Sequence, residues 1–147
     1  VSTVSGPERQ ARAALSFLAE PGDPALGALL RRCGPAEIVS AVSSGGDPRA
    51  ALPAESRAVP GIGRAFGRWR ARLGQVPTAA RLAAWDRAGM RLVCPGEPEW
   101  PTQLDDLGDA RPVVLWLRGS ADLRYACLRS ASVVGARAAT AYGSHVG

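Results

Sequence analysis

Met90-Arg91-Leu92-Val93-Cys94, Val113-Val114-Leu115-Trp116-Leu117 and Ser132-Val133-Val134-Gly135-Ala136-Arg137 are the stretches on which the fold reading turns. The first two are short apolar runs bounded by Gly, Pro or Arg, and the third is a Ser-Val-Val run entering a Gly turn. That is how strands of a largely covered sheet read. Residues 100–107, between the first two runs, read as a helical insert, so strands alternate with helical residues in the rhythm of an α/β sheet. After the third run, Gly135 makes a turn and Ala138-Ala139-Thr140-Ala141-Tyr142-Gly143 can open a helix.

A glycine turn leading into a helix at the carboxyl end of a strand presents backbone N–H groups to an anion. The dinucleotide fingerprint G-x-G-x-x-G is absent, because Arg137 stands where a second Gly would let a pyrophosphate approach. The phosphate loop G-x-x-x-x-G-K-[ST] is absent too. Arg137 would instead offer a charged fork to a single phosphate, with the Thr140 hydroxyl as a second donor. The structural alternative is that Arg137 pairs with an acid such as Asp122.

Toward the N-terminus the pattern changes to period 3.6. Residues 8–20 carry Ala11, Ala14, Leu15 and Leu18 at helical spacing and stop at Pro21-Gly22-Asp23-Pro24. A second helix follows with Leu26, Leu29 and Leu30 and ends at Cys33-Gly34, and a third spans residues 35–42. Val59-Pro60-Gly61-Ile62-Gly63 then opens a helix whose apolar residues Ile62, Phe66, Trp69, Leu73 and Val76 share one face, with Arg64 and Arg68 opposite. Such a turn fits either the hairpin of a helix-hairpin-helix element, where Gly61 and Gly63 let a phosphate approach, or a plain packing turn. Another helix follows Pro77, over residues 78–88. The expected architecture is therefore a small helical domain, residues 1–77, followed by an α/β domain, residues 78–147.

Composition bounds the rest. With 147 residues, 46% hydrophobic and 21% charged, the chain is a globular protein of one or two small domains. No apolar run approaches the roughly 20 residues needed to cross a bilayer, and no secretory signal opens the chain, so a cytoplasmic protein is expected. All 18 basic residues are Arg against 13 acids, and the absence of Lys and Asn reads as a GC-rich coding sequence more than as function. Position says more: residues 57–85 hold six Arg and no acid, which points to an anionic partner or a solvated basic face. Cys33, Cys94 and Cys127 lie far apart with His145 as the one histidine, so no zinc site, metal or disulfide framework is expected.

The ordered series Cys94-Pro95, Trp100-Pro101, Leu104, Leu107, then Pro112 through Arg118-Gly119, Leu123, and Val133-Val134-Gly135-Ala136-Arg137 followed by Thr140, Tyr142 and Gly143 resembles the DNA-processing protein A (DprA, also called Smf) family. Residues 8–76 are similar to that family's helical N-terminal domain, of helix-hairpin-helix or SAM-like type. The resemblance implies a Rossmann-like domain in the second half, single-stranded DNA binding and protection, and delivery of DNA to the RecA recombinase in natural transformation, without catalysis or cofactor. It gives Arg137 the DNA contact, with Gly135 and Thr140 beside it, and leaves Gly61, Gly63, Arg64 and Arg68 as secondary contacts. Ala136 and Trp100 depart from the family's usual Ser and Tyr. The chain starts on Val and stops at Gly147, before the segments that complete the family's sheet, homodimer interface and recombinase surface, so a fragment of reduced activity is expected. Its C-terminal half, with a mainly parallel sheet left uncovered, should be marginally stable or aggregation-prone in isolation.

Two other classes compete. A nucleotide-processing Rossmann-like enzyme would have to work with Ser144-His145 or with Asp105, Asp106 and Asp109 as a magnesium cluster, and no orienting third group accompanies the histidine. A helical interaction module would use the Ala-rich seams of the first half and keep its arginines for solubility. Base stacking on Trp69 or Trp100 is conceivable, although both lie in apolar patterns that suit a core.

Overall fold

The computed structural model describes residues 4–47 and 50–132. Six α-helices and two strands are found among them. The helices are α1 Gly6–Leu18, α2 Pro24–Leu30, α3 Pro35–Ser43, α4 Ile62–Ala71, α5 Ala79–Arg87 and α6 Leu123–Leu128; the strands are β1 Met90–Val93 and β2 Leu115–Arg118. Short 3-10 helices occupy Ala54–Ala58, Leu73–Gln75 and Thr102–Ala110.

Local chemistry sets the helix starts. Ser5 accepts from the Glu8 N–H, Asp23 from Ala25, Thr78 from Arg81 and Asp122 from Tyr125, each satisfying an N–H that the first turn leaves unpaired. Pro24 and Pro35 stand at the start of α2 and α3, where a missing N–H costs nothing. The helix expected to run from Ile62 to Val76 ends at Ala71, and the chain tightens into the 3-10 turn Leu73–Gln75 before Pro77.

One buried cluster joins both halves of the chain. Leu15, Leu18, Leu29, Ile38, Val42, Ile62, Phe66 and Trp69 come from α1 to α4, and Cys94, Val113 and Val114 come from beside the strands. Polar links cross the same seam. Arg9 donates to the Leu92 carbonyl (2.7 Å) and pairs with Glu97, and Arg12 donates to the Val113 carbonyl (3.2 Å). Phe17 of α1, Trp85 of α5 and Trp116 of β2 form an aromatic triad with centroids 5.5–5.9 Å apart, and the Trp116 indole donates to the Ser16 hydroxyl.

The strands correct one expectation. β1 and β2 are neighbours and run antiparallel, with Met90 opposite Arg118 and Val93 opposite Leu115, where a mainly parallel sheet was expected. A parallel pair needs its connection to cross over the face of the sheet. Here the connection carries the 3-10 helix Thr102–Ala110, which packs on α2 instead, so the chain returns beside β1 from the opposite direction. The expected third strand falls almost wholly on residues outside those described.

Contact between α2 and that 3-10 helix is close enough to demand glycine. A Cβ on Gly27 would lie 2.6 Å from the Asp109 Cα and carbonyl carbon, while Arg31, one turn along, pairs with Asp109. Gly27→Ala should lower stability by about 1–3 kcal/mol, read as a fall in Tm. Gly67→Ala, on α4 with open space around it, should be neutral or raise stability by up to about 1 kcal/mol. Equal effects at both sites would contradict the packing.

Thiol chemistry reads the same core. Cys33 and Cys94 are buried, and burial pushes both thiols above their ordinary pKa, so little reactive thiolate exists at neutral pH; Cys127 is half-buried. Native-state alkylation should modify Cys127 first, and Cys33 and Cys94 later at a common rate as the shared cluster opens. Release of Cys94 well ahead of Cys33 would show that the strand half opens alone.

Candidate nucleic-acid interface

Helix α4 shows how the basic stretch is displayed. Its apolar residues Ile62, Ala65, Phe66 and Trp69 are buried, and Arg64 and Arg68 face outward. Gly61 precedes it in the left-handed region (φ 72°), which glycine adopts without strain, and no side chain caps the helix start. A groove of about 400 Å³ beside this turn is lined by Pro24, Ala28, Gly61, Arg64 and Arg68. The element before the turn is only the five-residue 3-10 helix Ala54–Ala58.

Most of the six arginines in residues 57–85 are already occupied. Arg70 donates to the carbonyls of Val42 (3.1 Å), Ser44 and Gly46 (2.7 Å), closing the C-terminal end of α3. Arg57 donates to the Leu52 carbonyl, Arg72 pairs with Glu20, and Arg81 lies over the Trp85 ring at 5.1 Å. Arg68 pairs with Asp23 at 3.2 Å. That carboxylate also accepts the Trp69 indole N–H (3.2 Å) and caps α2 through Ala25 (2.9 Å). Only Arg64 of the six has no partner among the described residues. Local charge density in the sequence thus overstates the free positive charge on this face.

The other unpartnered cations lie further along. Arg118 ends β2, Arg124 sits in α6 and Arg129 follows it, all exposed and with no side-chain hydrogen bond or ion pair among the described residues. Their platform is held by a polar clasp. Arg91 of β1 donates to the carbonyls of Gly119 (3.1 Å) and Ala121 (2.6 Å) and pairs with Glu99, which in turn accepts from the Leu123 N–H (2.8 Å). Sequence reasoning passed over α6, although Asp122 three residues before Tyr125 is an N-cap signal.

Trp69 and Trp100 are each 1% exposed and belong to the core, so neither offers a stacking face. The three aspartates do not converge: Asp105 binds the Trp100 indole (3.1 Å) and Arg111 (2.8 Å), which holds its carboxyl below the ordinary value, whereas Asp109 binds Arg31. No group of three His, Cys, Asp or Glu is placed to hold a metal among the described residues, and no helix among them is long and apolar enough to cross a membrane. Gly135, Arg137, Thr140, Ser144 and His145 lie outside the described residues.

Comparison with known proteins adds a family likeness. Residues 91–147 match the family model described as DNA recombination-mediator protein A. Two curated relatives from Mycobacterium tuberculosis, strains CDC 1551 / Oshkosh and ATCC 25618 / H37Rv, carry the name DNA processing protein DprA. Each is 34% identical over a 152-residue alignment covering 95% of this chain and 35% of the relative. The chain therefore spans about a third of the length of these relatives. No solved structure matches it. The matched segment takes in β1 from Arg91 onward, β2 and the arginines at 118, 124 and 129, and the relatives align through the helices as well, so nearly the whole chain is similar to part of a DNA-processing protein A.

Proposed function

We propose that this chain supplies part of the DNA-gripping surface of a cytoplasmic recombination mediator. The complete protein would bind single-stranded DNA, shield it and deliver it to the RecA recombinase in natural transformation. Arg137 grips a phosphate at the turn leaving the expected third strand, with Gly135 opening the backbone to it and Thr140 adding a hydroxyl donor. On the helical side Arg64 is the secondary contact, set beside Gly61 and Gly63, with Arg68 shared between Asp23 and any ligand. No catalytic step and no cofactor enter this role. The homodimer belongs to the longer protein.

The observation that carries this reading is the match of residues 91–147 to the recombination-mediator family, over a segment whose arginines at 118, 124 and 129 have no partner among the described residues. A polyanion is the partner that uses guanidinium groups without carboxylate mates, because neutralising phosphates releases their counterions.

Binding of an oligo-dT strand between 50 and 200 mM salt tests it. Log affinity should fall with log salt by about 0.7 per phosphate contact. Arg137→Ala should weaken binding to every sequence alike and flatten the slope by roughly one contact, since a phosphate contact positions without specifying. Arg64→Ala should act in the same direction. A salt-independent affinity, or no affinity, would overturn the reading in favour of a protein-interaction module.

Arg70→Ala serves as the opposite case. Removing it leaves carbonyls at the end of α3 without their donor, so stability should drop by about 1–3 kcal/mol while the salt slope stays as in the unaltered chain. A loss of slope without a loss of stability would make Arg70 a DNA contact instead.

A further inference from the structure

Tyr125 is 67% exposed, more than Leu107 or Leu128, and it sits on a helix that the core does not hold. No residue of α6 is buried; the polar clasp from Arg91 and Glu99 positions it, and Asp122 caps its first turn through the Tyr125 N–H at 3.1 Å. Arg129 stands four residues after Tyr125 and so on the same side of the helix, and Arg124 is its immediate neighbour. With Arg118 at the end of β2, the segment from 118 to 129 carries three guanidinium groups without partners among the described residues and one open aromatic ring, and its acid, Asp122, is occupied as a cap.

We propose that Tyr125 is a base-stacking platform for a single strand of nucleic acid, with Arg118, Arg124 and Arg129 taking the flanking phosphates. The inference rests on the DNA-binding reading above and adds to it a residue that reads bases, where the arginines read only charge. A ring that presents a π-face between unpaired cations complements a strand whose bases are free to unstack, and such stacking tolerates any sequence. A protein partner would need an apolar face, and here the large exposed apolar residues of α6 are Tyr125 and Leu128, set among positive charges. Duplex DNA keeps its bases stacked on one another and offers Tyr125 nothing to receive.

The experiment compares the 147-residue chain and its Tyr125→Ala and Tyr125→Phe variants on two oligonucleotides of equal length and charge, one oligo-dT and one abasic. Tyr125→Ala should lose affinity for oligo-dT roughly tenfold, keep its affinity for the abasic strand within about twofold, and leave the salt slope unchanged. Tyr125→Phe, which keeps the ring, should behave as the unaltered chain. Thermal melts of both variants should coincide with that of the unaltered chain, because the side chain is exposed. Equal loss on both strands, or no loss on either, overturns the stacking platform while single-strand binding itself stands. Absence of binding by the unaltered chain overturns the functional reading and the platform together. A change in self-association with DNA affinity intact would assign this face to a second copy and likewise overturn the proposal.

Discussion

Helix α1 holds the helical part to the strands, and its two arginines do much of that by donating to backbone carbonyls far along the chain. Arg9 reaches the Leu92 carbonyl and Arg12 the Val113 carbonyl, 83 and 101 residues away in sequence. Leu92 lies within β1 and Val113 two residues before β2, and a carbonyl left without a donor at either place would be costly to bury. The guanidinium is suited to this work because its planar donors reach several acceptors at once and its stem packs along apolar surface. The apolar part of the joint is one buried cluster that runs from Leu15 of α1 to Val114 before β2.

Arginine is thereby divided between building and binding. Arg70 closes the end of α3, Arg91 ties the loop before α6, and Arg68 shares Asp23 with the Trp69 indole. What remains unpaired among the described residues is a minority: Arg64 on the helical side, Arg118 at the end of β2, and Arg124 and Arg129 after it. An ion pair at the surface is worth little in stability, so the arginines that lack one give up little by standing free. Their freedom matters for what they can meet.

Much of the helical part was legible in the sequence. Proline and glycine punctuation placed α1, α2 and α3 to within a few residues, and the apolar face of α4 was read correctly through Trp69. Both strands were found within two residues, since short apolar runs between turn residues have few other uses. Their pairing direction was not legible, because it depends on where the connection docks, and that is decided by the close approach of Asp109 to Gly27 in a different helix. The basic stretch misled for a related reason: a count of charges cannot show that Arg70 and Arg72 meet carbonyls and a carboxylate from distant segments. Helix α6 was missed because its six residues bury nothing, leaving no periodic apolar signal.

The carbonyl clasps of α1 have a consequence for how the molecule responds to its surroundings. A guanidinium does not titrate, and a peptide oxygen carries no net charge for counterions to gather around. High salt, which weakens the hold of free arginines on a polyanion, leaves these carbonyl bonds largely indifferent. The joint between helices and strands can thus persist at ionic strengths that would weaken the binding proposed for the unpaired arginines.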